Sequence, residues 1–153
     1  MTLSPGPDSA MKKGDTETTT RSEEETFQLA KSMARRFRGK EIVLLSGELG
    51  AGKTIFAKGI AAGLGLKDHH QVCSPSFTIM NIYRGRFLIF HFDLYRLEEG
   101  AEIMDLGWED CLDRGVVIVE WGERIPFNLD AIRVNIRKGK GDEHEIEISR
   151  QQR

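Results

Sequence analysis

Between Phe27 and Phe37 apolar residues return every three or four positions, at Phe27, Ala30, Met33, Ala34 and Phe37. That spacing predicts an amphipathic helix of about four turns. Ser22-x-x-Glu25 ahead of it is a capping box, and Gly39 behind it is a stop signal. The pattern then changes period. Ile42-Val43-Leu44-Leu45 and Val116-Val117-Ile118-Val119 are short, wholly apolar runs, as expected of central strands buried on both faces. A second helix is expected from Lys53 to about Leu64, stopped by Gly65. Ile79–Tyr83 and Phe87–Phe92 read as a hairpin about Arg84-Gly85-Arg86. Residues 98–113 read as mostly helical, broken near Gly107. Ile132, Val134 and Ile136 alternate with polar residues, and so do Ile146 and Ile148, which predicts a strand pair joined by Gly139-Lys140-Gly141-Asp142. Residues 1–20 show no apolar periodicity and read as a flexible tail, leaving 21–153 as one domain.

Composition narrows the function classes. A chain of 153 residues, 39% apolar and 30% charged, suits one soluble domain with its own core. The net charge is −2, and beyond residue 26 there are 19 basic against 18 acidic groups. That balance argues against coating nucleic acid through bulk charge, while leaving room for a local basic patch. The two cysteines, Cys73 and Cys111, lack metal-ligand spacing and read as reduced thiols. No apolar run has the length of a membrane span, and the polar N-terminus is no secretory signal, so a cytoplasmic location is the expectation.

Gly47-Glu48-Leu49-Gly50-Ala51-Gly52-Lys53-Thr54 fits G-x-x-x-x-G-K-[ST], between a predicted buried strand and a predicted helix. Gly47, Gly50 and Gly52 permit backbone conformations that turn N–H groups of the loop, Ala51 included, inward on a phosphate. The helix presents its partially positive N-terminus to the same charge. Lys53 reaches β- and γ-phosphates, and the Thr54 hydroxyl can ligate Mg²⁺. The fold expected is an α/β three-layer sandwich of the P-loop NTPase kind, with a mostly parallel central sheet extended by antiparallel strands.

Such a site needs a carboxylate beside the metal, at the end of a neighbouring strand. Asp93 ends one apolar run and Glu120 another. Either can serve, one binding Mg²⁺ and the other orienting the attacking water. Ser74-Pro75-Ser76-Phe77-Thr78 is either a switch-like loop whose hydroxyls reach the γ-phosphate or an ordinary polar loop. Arg96 reads equally as a phosphate-stabilising arginine or a surface ion pair. Adjacent His69 and His70 do not suggest a shared metal. His91 reads as a core histidine, and Trp121 as a packing residue able to report nucleotide by fluorescence.

The succession GELGAGKT, SPSFT, HFDLYR and VEW resembles the bacterial TsaE (YjeE) family over roughly residues 20–149. HFDLYR at 91–96 is its most specific part, and Gly107-Trp108 adds to it. SPSFT stands where the family often has SPTYT, and Thr78 is kept. The resemblance implies a weak ATPase of tRNA N6-threonylcarbamoyladenosine biosynthesis; nothing in the sequence suggests a dimerisation helix, so a monomer is the expectation for the free protein. It would act on the TsaD side of a TsaB–TsaD pair and reset that complex between cycles. It would meet tRNA through the complex. TsaD would transfer the threonylcarbamoyl group, and TsaC would make the activated adenylate. By position, Gly50 to Thr54 would bind phosphates and Thr54 would ligate Mg²⁺. Glu120 would be the second metal-side carboxylate and Asp93 the essential acid near the γ-phosphate. Thr78 would be the hydroxyl of the switch-like loop. Glu23 and Thr26, with a residue of 132–137, would lie near the adenine.

Two other classes fit parts of the sequence. A small-metabolite P-loop kinase would need an acceptor pocket and an arginine-bearing lid, for which the chain leaves little room. A nucleotide-dependent binding module of the GTPase kind would carry N-K-x-D, which is absent.

Overall fold

The computed structural model describes residues 15–48, 50, 52–73, 75, 80–95, 107–125 and 129–151. Seven strands form one mixed sheet in the order β1-β7-β6-β2-β5-β4-β3. They are β1 (Thr16–Thr20), β2 (Ile42–Ser46), β3 (Met80–Arg84), β4 (Leu88–Asp93), β5 (Gly115–Glu120), β6 (Ala131–Lys138) and β7 (His144–Gln151). The helices are α1 (Glu23–Ala34), α2 (Lys53–Gly63) and the single turn α3 (Trp108–Cys111). The pairings β2–β5, β2–β6 and β4–β5 are parallel, while β1–β7, β6–β7 and β3–β4 are antiparallel. The expected mostly parallel sheet is therefore parallel only in its four central strands. On the flanks, β6–β7 and β3–β4 are hairpins, which need no helical crossover, and β1 from the start of the chain adds to β7.

The buried runs fall where expected. In β2, Val43 and Leu45 face α1 and α2, with Phe56, Ile60, Val116, Ile118 and Ile136 around them. Leu44, between them, faces the other way, among Phe90, Phe92, Val117, Val119 and Trp108. Strict alternation between two apolar layers is what makes the strand apolar throughout.

Three sequence expectations need correction. Thr16–Thr20 is not tail but an edge strand on β7, pairing Thr18 with Ile146. Its β-branched threonines suit extended backbone, and its sparse burial explains the missing apolar signal. Helix α1 stops near Ala34, because the Glu41 carboxylate accepts the N–H groups of Arg38, Gly39 and Lys40 at 2.8–3.1 Å. The β3–β4 turn lies at Gly85–Phe87, one residue later than expected. The helix expected over 98–113 is described only as α3, and residues 98–106 lie outside the described part. Among the described residues no helix is long and apolar enough to cross a membrane.

Ser22 caps α1 as predicted, its Oγ accepting the Glu25 N–H at 3.1 Å. The two long helices then approach closely. A Cβ on Gly59 would lie 2.5 Å from the Phe27 carbonyl oxygen, and one on Gly63 would lie 2.5 Å from that of Lys31. These two glycines, four apart on one face of α2, set the distance at which α1 lies. Gly59→Ala gains helix propensity of about 0.5–1 kcal/mol yet forces the helices apart. A net loss of about 1–3 kcal/mol in urea unfolding is expected, larger for Gly59→Val.

Candidate functional site

The turn after β2 carries the glycine-rich loop. Gly47, Gly50 and Gly52 have φ of +149°, +80° and +107°, all in the region closed to most side chains. Gly52 opens α2, and no side chain caps that helix end. Lys53 follows it and is only 5% exposed. Its Nζ donates to the carbonyls of Gly47 at 2.6 Å and Glu48 at 2.9 Å, and lies 4.1 Å from the centre of the Trp121 ring. An ammonium over an indole face is worth about 0.5–2 kcal/mol.

Parallel pairing of β2 with β5 and of β5 with β4 brings Leu45, Glu120 and Asp93 level at one sheet edge. Glu120 is 2% exposed. A buried carboxylate must be hydrogen-bonded, and this one accepts the Thr54 hydroxyl on Oε1 at 3.1 Å and meets His91 Nε2 on Oε2 at 2.6 Å. Asp93 Oδ1 accepts the Tyr95 N–H at 2.9 Å. Burial, together with the charge of Glu120, pushes the Asp93 carboxyl above its ordinary range, against the pull of that N–H. Burial also pulls Lys53 below its ordinary value, opposed by the charges of Glu120, Glu123 and Asp93.

Around these groups opens a cleft of about 360 Å³, lined by Glu23, Gly50, Gly52, Lys53, Thr54, Asp93, Tyr95, Glu120 and Trp121. A second cleft of about 330 Å³ shares Glu23 and Gly50 with it and is otherwise lined by Ser22, Lys138, Gly141, Asp142 and His144. Each is within the size range of small-molecule sites. The chemistry offered is an anion cradle with one lysine, a hydroxyl–carboxylate pair of hard oxygens, and a second acid whose proton affinity is raised.

Of the residues singled out in the sequence, Glu23, Gly50, Gly52, Lys53, Thr54, Asp93 and Glu120 share this cleft. Thr26 does not reach it. It is 0% exposed, with its hydroxyl 2.6 Å from that of Thr20 and donating to the Ser22 carbonyl at 3.2 Å. Its role is to tie α1 to β1. No residue of 132–137 lines either of these two clefts, and Lys138, the last of β6, lines the second. Ala51, Thr78 and Arg96 lie outside the described residues.

The family profile described as Threonylcarbamoyl adenosine biosynthesis protein TsaE matches residues 20–151. The chain belongs to the TsaE family. Its relatives include proteins named tRNA threonylcarbamoyladenosine biosynthesis protein TsaE in several bacteria. That of Treponema pallidum is 38% identical, aligned over 76% of this chain and 85% of its own length. That of Rickettsia conorii is 42% identical over 77% and 69%, and that of Bacillus subtilis 39% over 80% and 78%. A crystal structure of Bacillus subtilis YdiB superposes with a TM-score of 0.66 at 31% identity, covering 88% of this chain and 84% of that one.

This TsaE family member holds site residues that sequence reading passed over. His91, read as core, bonds Glu120. Trp121, read as packing, lies against Lys53, with a φ of +62° that a tryptophan rarely adopts. Its ring meets Tyr95 at 5.1 Å and the Arg124 guanidinium at 5.5 Å. His144 lines the second cleft and packs against Gly52, where a Cβ would lie 3.4 Å from its ring. The only local signal for these residues was their place beside the two acids or in the last strand.

The raised Asp93 carboxyl sets a sign for stability. The folded state disfavours the ionised form, so Asp93 opposes folding once pH exceeds the raised folded value, and the opposition vanishes below the ordinary unfolded value. Asp93→Asn keeps an oxygen for the Tyr95 N–H and removes the charge. Thermal melts are expected to show the variant more stable than wild type at pH 7, with the gain shrinking as pH falls through that window.

Proposed function

We propose that this protein is a Mg²⁺-dependent P-loop ATPase that supports N6-threonylcarbamoyladenosine formation in tRNA, working with TsaB and TsaD. One observation carries the reading. A phosphate-type loop, a hydroxyl–carboxylate pair and a second acid converge where β2, β4 and β5 end side by side. The names of its relatives point to the same modification.

In this reading Lys53 exchanges the Gly47 and Glu48 carbonyls for phosphate oxygens, and loop N–H groups take the others. Thr54 and Glu120 would hold Mg²⁺, since a hydroxyl and a carboxylate oxygen 3.1 Å apart are the hard donors that ion takes. Bound there, the ion neutralises charge on the phosphate oxygens. Asp93, whose carboxyl burial pushes above its ordinary range, would orient the attacking water. The nucleoside end extends along Glu23 into the second cleft, towards Lys138 and His144. Both clefts are open to solvent, so a partner seated over them would complete the surroundings of the γ-phosphate. Turnover by the protein alone would then be weak.

Steady-state ATP hydrolysis tests this, with and without the TsaB–TsaD pair. Strong stimulation by the pair is expected, together with a loss of about 100-fold or more in kcat for Lys53→Ala and for Glu120→Gln. Turnover indifferent to the pair would discard the partner role. Turnover that requires a small acceptor would turn the reading to a metabolite kinase.

A further inference from the structure

His91 is the one buried histidine of the central strands. Its neighbours on the same face of β4 and β5 are Ile89, Val116 and Ile118, a layer that an apolar side chain would continue, though at the cost of leaving Glu120 Oε2 without its partner. Instead an imidazole with 0% exposure sits 2.6 Å from Glu120. Its Nδ1 is also buried and has no hydrogen-bond partner among the described residues. Tyr83 covers it with a ring 6.4 Å away.

Against an ionised Glu120, which only accepts, this hydrogen bond is made with the hydrogen on Nε2. Nδ1 is then a bare lone pair, which is cheaper to leave unpaired in an apolar layer than an N–H donor would be. We propose that His91 is a positioning residue for Glu120: its Nε2–H holds Oε2, which keeps Oε1 turned to the Thr54 hydroxyl and prepares the pair for a divalent cation. The inference rests on the site reading above and deepens it. Removing a group that orients a metal-side carboxylate typically weakens the metal by about 10–100-fold.

Two amides separate positioning from packing. The terminal amide of glutamine reaches about as far as Nε2, whereas that of asparagine reaches only Nδ1. Both bury the same polar group, so a merely structural role predicts equal effects. Equilibrium binding of ADP to the full chain, with and without Mg²⁺, gives the readout. In wild type Mg²⁺ is expected to tighten ADP. In His91→Asn that tightening should fall about 10-fold, and in His91→Gln it should stay within about 3-fold of wild type, while metal-free ADP affinity holds in both. Equal loss, or equal retention, in the two variants overturns the proposal. If wild type binds ADP but gains nothing from Mg²⁺, the reading of the site itself fails, whatever the variants do. Should the variants not fold, ¹⁵N spectra of wild-type histidine decide: an Nε2-protonated, Nδ1-bare ring supports the proposal, and an Nδ1-protonated ring overturns it.

Discussion

A carboxylate buried at the end of a central strand has to be satisfied by its neighbours, and Glu120 is satisfied by two elements that are far apart in sequence. Thr54 comes from the first turn of α2 and His91 from β4. Both contacts require β2, β5 and β4 to lie parallel and in register, because only then do the loop after β2 and the ends of β5 and β4 meet. The alternating apolar layers above and below supply that register. A slip of one residue in β5 would turn Glu120 into the Phe92–Trp108 layer and Val119 towards α2. The hydrophobic pattern thus fixes where the charge goes.

The cleft gathers features that a stability-driven fold would avoid. Burial works against the charged forms of both Lys53 and Asp93. Trp121 takes a left-handed backbone conformation, and Glu120 stands in an apolar interior. Elsewhere the chain follows its local preferences: Ser22 caps α1, glycines stand where α1 meets α2, and threonines make an edge strand. Local rules are broken chiefly in the one region where chemistry needs them broken.

That contrast explains what could be read from the sequence. The loop at 47–54 was legible because its chemistry is contiguous, and Glu120 and Asp93 because each ends an unmistakable apolar run. Edge strand β1 was not, since its residues are all polar and only Thr20 of them is buried, which leaves no alternation to detect. Thr26 misled because it lies one turn deeper along α1 than Glu23: Glu23, in the first turn, lines the cleft, whereas the buried Thr26 hydroxyl is taken up by Thr20 and the Ser22 carbonyl. His91 and His144 were invisible as site residues because their partners are named only by tertiary pairing.

The segment from His91 to Tyr95 shows how a family motif arises from strand geometry. Period-two alternation sends His91 and Asp93 to the α2 face and Phe92 to the other, where its ring meets Trp108 edge-on at 5.6 Å. Leu94 completes the same apolar layer, and its N–H bonds the Glu120 carbonyl at 3.1 Å, tying the end of β4 to that of β5. Tyr95 then leaves the sheet, hands its own N–H to Asp93 and lays its ring on Trp121. Each residue in the run answers to a different neighbour: Glu120, the apolar layer, the cleft, the backbone of β5, and the indole beneath Lys53. A string so constrained cannot drift one position at a time. The phosphate loop, by contrast, makes its demands through glycine backbone, one lysine and one hydroxyl, and so marks a class of chemistry.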